Sequence, residues 1–184
     1  MIAAPVVSVQ VMPDDPDSGQ YKRDFITWAM SQAQALRAMR GVTLNREERS
    51  TDLLRAIDWD HLAAEIEGLA HRQRQDLAHG LGVVVEHLVR LEFSPAWEPR
   101  ADWIATLRAE RDRAAAILRQ SPSLRPEVAA MMQTGNDEAV SVAADWLERQ
   151  GATAEAMEAR MRRFGTGYHP DQVLGAWIPI PSAG

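Results

Sequence analysis

Residues 58–95 read DWDHLAAEIEGLAHRQRQDLAHGLGVVVEHLVRLEFSP, and this stretch decides the fold. Trp59, Leu62, Ile66, Leu69, Gln73, Leu77, Leu81, Val84, Leu88 and Leu91 recur at three- and four-residue steps, the period of one face of an α-helix. Asp58 carries a short carboxylate that can accept the free backbone N–H groups of a first turn. Asp60 adds negative charge where the helix dipole favours it, and Ile57 and Leu62 stand at the two positions of a hydrophobic staple. Ser94-Pro95 closes the pattern, because proline disfavours helical backbone in the residue before it. One long helix from Trp59 to Phe93 is expected, with Gly80 and Gly82 as places for a kink or a close neighbour.

The flanking sequence repeats the theme. Tyr21, Phe25, Trp28, Ala29, Gln32, Leu36 and Met39 predict a helix over Gln20–Met39, with Ser18 as its cap and Gly41 as its stop. Residues 42–56 are charged and leave room for a short helix from Arg46 to Ala56. After the Pro95–Pro99 loop, Asp102 is the expected cap of a helix carrying Trp103, Leu107, Arg111, Ala114 and Leu118 on one face, ended by Ser121-Pro122. The next helix starts near Leu124, tolerates Pro126 in its first turn, runs through Val128, Met131, Met132, Val140 and Trp146, and stops at Gly151. Thr153 caps a short helix to Phe164.

Residues 1–19 read as an extended arm, since Val7, Val9 and Val11 alternate with polar residues until Pro13–Pro16. Residues 165–184 form a loop-rich tail that docks on the bundle or on a partner, with Trp177, Ile178 and Ile180 as apolar anchors. Helices that each carry one stripe must share an interior. The expected fold is all-α, an antiparallel bundle of five to six helices over residues 20–164.

Composition excludes several classes of function. The 184 residues are 46% hydrophobic and 25% charged, which suits one globular domain. Cysteine is absent, which removes thiolate nucleophiles, disulfides and cysteine-ligated metals. A net charge of −6 argues against nucleic acid as a partner, because phosphate binding needs a local excess of cations. The first twelve residues lack a basic leader and Pro5 interrupts them, and no apolar run is long enough for a membrane span. A cytoplasmic location is the expectation. Lys22 is the single lysine among many arginines, and with the abundant alanine this bias points to a GC-rich bacterial genome.

Five pieces in order carry a resemblance: Tyr21-x-x-Asp24-Phe25-x-x-Trp28, then Leu62-x-x-Glu65-Ile66-Glu67-x-Leu69, His87-Leu88, Trp103 with Arg111, and Pro122-Ser123-Leu124. Together they resemble the bacterial family known as domain of unknown function 29, over about residues 20–150. The resemblance implies an all-helical cytoplasmic bacterial protein and no established activity. Ala64, Arg90-Leu91 and Asn136 depart from the family pattern.

Candidate chemistry is sparse. Asp58, His61 and Glu65 share one helix face and form a weak carboxylate–imidazole–carboxylate metal set, although Asp58 already serves as a cap. His71, His79 and His87 follow an i+4 row, too stretched for one ion. His87, beside the apolar stripe, reads first as a satisfied core histidine and second as a functional group. Arg111 interrupts an apolar stripe and needs a carboxylate or carbonyls. Glu65 is the preferred partner, in a structural ion pair that sets helix register, and Glu67 is the remaining acidic candidate. Trp28, Trp59, Trp103 and Trp146 fall on stripes and read as core, whereas Trp97 and Trp177 lie in loops and can mark a contact surface. No phosphate loop, nucleophile elbow, zinc spacing or other cofactor motif occurs. The leading expectation is a non-enzymatic interaction module that self-associates through the valine arm and the tail. A metal-dependent bundle enzyme and a nucleic-acid regulator acting with a partner are the alternatives.

Overall fold

The long helix forms as its caps dictate. Helix α3 runs Trp59–Phe93, opened by Asp58, whose carboxylate accepts the His61 N–H at 3.1 Å, and closed at Ser94, whose N–H donates to Arg90 O. The computed structural model describes residues 16–44, 57–164 and 167–180. The valine alternation at 7–11 and the charged segment 46–56 lie outside the described residues. Around α3 stand α1 (Pro16–Arg23), α2 (Phe25–Leu44), α4 (Arg100–Gln120), α5 (Val128–Arg149), α6 (Thr153–Phe164) and the short α7 (Pro170–Leu174), with a 3-10 turn over Pro122–Glu127. The described residues contain no strand. The architecture is an all-α helical bundle.

Side-chain contacts fix the directions. Arg37 meets Glu67 and Arg40 meets Asp60, so α2 runs antiparallel to α3. Arg100 donates to Leu91 O, a Cβ on Gly80 would sit 3.3 Å from Glu110 Oε2, and Ser121 Oγ donates to Gln73 Oε1. Helix α4 is therefore also antiparallel to α3 and ends beside Gln73. Arg74 bonds Glu127 and Arg90 lies over the Trp146 ring, so α5 returns parallel to α3. Gly151, at φ 82°, turns the chain into α6, where Arg160 reaches back to Asp145 and Glu148. Leu77, Leu81, Val84, Leu88 and Leu91 of α3, Leu107 of α4 and Leu147 of α5 meet in the core at 2% exposure or less. Trp103 packs edge-on against Trp146 there, with ring centroids 5.3 Å apart.

Four boundaries differ from the sequence reading, each for a local reason. Helix starts at Pro16, so residues 16–19 belong to α1 rather than to an extended arm, and Ser18 lies inside it. The single first helix is broken at Asp24, whose Oδ1 accepts the Thr27 N–H at 2.9 Å and so caps α2. Gly41 does not stop α2, which continues to Leu44; glycine weakens a helix without forbidding it. Asp102 is not the cap of α4. The turn from Trp97 to Arg100 starts the helix at Pro99, leaving Asp102 in the first turn, where its charge still suits the dipole.

These directions have one large consequence. The hydrogen bonds that tie the end of α4, the 3-10 turn and the start of α5 to α3 fall at Gln73 and Arg74. The first fourteen residues of α3, an overhang of about 21 Å, are flanked among the described residues by α2. Ala29 and Ala33 on α2 and Ala63 and Ala70 on α3 are fully buried, and Ile66 packs against the core.

Candidate functional site

The expected partner of Arg111 is not Glu65. Arg111 is buried, and its guanidinium donates to three carbonyls of the tail: Val173 O at 2.8 Å, Gln172 O at 2.5 Å and Trp177 O at 2.8 Å. Glu65 is exposed on the overhang, beyond the end of α4, so the two cannot form the register-setting ion pair. Burial pulls the Arg111 pKa down. Carbonyl oxygens satisfied the guanidinium because α7 passes directly across the Arg111 face of α4, whereas α4 ends before reaching the level of Glu65.

The tail is otherwise held by Val173, fully buried, by Ile178, packed on the core, and by the Tyr168 hydroxyl, which donates to Glu92 at 2.6 Å. Ile180, expected as an anchor, is 88% exposed, and Trp177 is only partly covered, against Tyr168. Trp97 stands in solvent with Arg100 over its ring.

Asp58 and His61 do come together, Nδ1 to Oδ2 at 2.5 Å, on an exposed helix tip. The hydrogen bond to Asp58 raises the His61 pKa, and the bond from the His61 N–H lowers that of Asp58. Glu65 lies one turn on along the same face, but no three acidic or histidine side chains among the described residues are placed to share an ion. Glu67 points to the other side of the overhang, bonded through both oxygens to Arg37; that bond lowers its pKa. His87 is buried, its Nδ1 2.8 Å from Val83 O one turn earlier. His71 and His79 are exposed.

A groove of about 880 Å³ lies between α3 and the first half of α5, floored by Ala78, Gly82, Val83, Ala130 and Ala139. Of the carboxylates on its rim, Glu86 is bonded to Arg90 and Glu127 to Arg74. His79 and Glu138 line it too, both exposed and in no ion pair among the described residues.

The other notable surface is on the overhang. The stripe that is 0–2% exposed from Leu77 to Leu91 continues toward the N-terminus through Leu69 and Leu62, which are 44% and 45% exposed. Ile66 and Trp59 between and beyond them are half-buried. The stripe was legible in the sequence; that α4 stops short of covering it was not.

Asp24 supplies a link that sequence reasoning missed. Its carboxylate, besides capping α2, accepts the Ser123 N–H at 2.6 Å and the Ser123 hydroxyl at 2.9 Å. Burial works against the charge, but the bonds from Thr27 and Ser123 outweigh it and hold the Asp24 pKa below its ordinary value. Two of the five pieces of the resemblance, 99 residues apart, are thereby one contact. A family model described as "Domain of unknown function DUF29" matches residues 20–159. The chain belongs to this family. The match runs from α1 through most of α6, and so includes both the overhang and the Asp24–Ser123 link of this DUF29 protein. No curated protein and no solved structure matches the chain. No helix among the described residues is long and apolar enough to cross a membrane.

Proposed function

We propose that this DUF29 protein is a non-enzymatic interaction module of the bacterial cytoplasm that associates with a second copy of itself. One observation carries the reading: beside the buried Ala63 and Ala70 and the core-packed Ile66, the apolar stripe of α3 leaves Leu62 and Leu69 nearly half exposed. A stripe continuous with a bundle core is the kind of surface a further helix completes. The second copy is the favoured occupant because its own overhang offers the same unfilled length. The surface differs from the tail, which the sequence suggested, because Arg111 holds the tail carbonyls on this chain's own bundle.

Each half-exposed leucine retains roughly 1 kcal/mol of burial to gain. Two leucines from each copy make about 4 kcal/mol, equivalent to a Kd of about 1 mM before the cost of association, so the dimer is weak and fills only toward high-micromolar and millimolar concentration. Light scattering of the wild-type chain and of a Leu62→Lys/Leu69→Lys variant tests this across that range. The wild type should pass from monomer to dimer mass with rising concentration while the variant stays monomeric with unchanged helicity. A wild-type mass of 20.5 kDa at every concentration would end the reading.

A further inference from the structure

Two glycines keep the groove between α3 and α5 open. Gly82 lies eight residues beyond Arg74 and Gly135 eight beyond Glu127. Arg74 and Glu127 are bonded, so on these parallel helices the two glycines stand nearly level. Gly80 makes room for Glu110 Oε2, and Gly151 and Gly167 take left-handed backbone; Gly82 and Gly135 do neither. A Cβ at either position would meet nothing within 4 Å. Glycine inside a helix is less stable than alanine, so each carries a cost that packing of the bundle does not explain. What both leave is space, in a groove of about 880 Å³, the size of a small-molecule site.

The groove is apolar with one unmatched charge. Ala78, Val83, Ala130 and Ala139 surround the glycines, and Val142, 43% exposed, extends the apolar wall along α5. Three carboxylates line it and, among the described residues, no lysine or arginine does. Glu86 is matched by Arg90 and Glu127 by Arg74, both cations standing outside the lining. Glu138, one turn past Gly135, has no such match among the described residues. His79 adds an exposed imidazole on the α3 wall.

A ligand that answers this pattern is hydrocarbon along most of its length and positive at one end. Residues 1–15 of the chain offer valines but also two aspartates and no basic side chain, so they do not answer Glu138. We infer that the groove binds a small organic monocation, an alkyl- or arylamine, with its hydrocarbon over Gly82 and Gly135 and its ammonium at Glu138. This binding is independent of self-association.

Octylamine, octanol and octanoate, titrated into the full-length protein and followed by amide NMR shifts, test the site. Octylamine should shift residues 78–86 and 130–142. It should bind roughly two- to fivefold more tightly than octanol, the gain from one exposed ion pair, and octanoate should bind more weakly than octanol. Glu138→Gln should bring octylamine to the octanol level and leave octanol unchanged. Gly82→Leu, whose side chain enters open space, should abolish binding of both with helicity unchanged. Gly135→Leu fills the groove from the other wall and serves if circular dichroism shows the first variant misfolded. Shifts confined to other surfaces, equal affinity for octylamine and octanol, or undiminished binding in the leucine variants each overturn the site. So does a Gly82→Ala protein no more resistant to urea than wild type, because the glycine would then cost nothing.

Discussion

Replacing Arg111 with methionine removes the donor of three tail carbonyls while keeping most of the apolar stem. Hydrogen bonds from a charged group contribute about 1.5–3 kcal/mol each, so three would suggest a loss well above 5 kcal/mol. Two effects bring that down. The guanidinium is itself buried and its pKa lowered by that burial, so a desolvation cost disappears with it. The tail can also leave, returning its carbonyls to water, and then only its docking energy is lost. That energy is dominated by Val173, fully buried, with Tyr168 and Ile178. Burying one such side chain contributes about 1.5–3 kcal/mol, so Arg111→Met should cost about 3 kcal/mol in urea unfolding. Hydrogen exchange should show residues 168–178 losing protection while α3 keeps its own. Arg111→Lys should fall between, because one ammonium cannot span the Nε and Nη2 geometry that reaches Val173, Gln172 and Trp177 together. A methionine variant within about 0.5 kcal/mol of wild type, with the tail still protected, would show that the carbonyl clamp does not hold the tail.

Asp24→Ala should destabilise the protein by about 1–2 kcal/mol, measured by urea unfolding, since it removes the α2 cap and the tie to Ser123 together. Because the folded-state pKa of Asp24 lies below its ordinary value, its contribution is present above the unfolded carboxylate pKa and is lost as pH falls through the folded one. Acid titration of wild type and variant should therefore converge. His61 should titrate by NMR above the ordinary histidine value and return toward it in Asp58→Asn. With its pKa raised in the folded state, the Asp58–His61 contact stabilises at low pH and fades as pH rises through the His61 pKa.

Much of this architecture was readable from residue spacing. Asp58 and Ser94 bound α3 as their chemistry requires, and Gly151 takes the left-handed turn that ends α5. What the sequence concealed were contacts between distant segments. Periodicity showed that Arg111 interrupts a stripe and needs oxygen partners, but a carboxylate and a backbone carbonyl satisfy a guanidinium alike, and only the path of α7 decides between them. The same holds for Asp24, an unremarkable acid on a continuous stripe until Ser123 arrives from 99 residues away. The overhang was hidden for a related reason. Leu62 and Leu69 follow the same period as Leu77 and Leu88, and nothing local marks where α4 runs out.

The central claim is that residues 59–69 of α3 are a contact surface, and hydrogen exchange followed against protein concentration tests it most directly. Over roughly 50 µM to 2 mM, peptides from this segment should gain protection as the dimer fills. Peptides from the α3–α5 groove and the tail should not change. Exchange in residues 59–69 that is the same at every concentration would contradict the account.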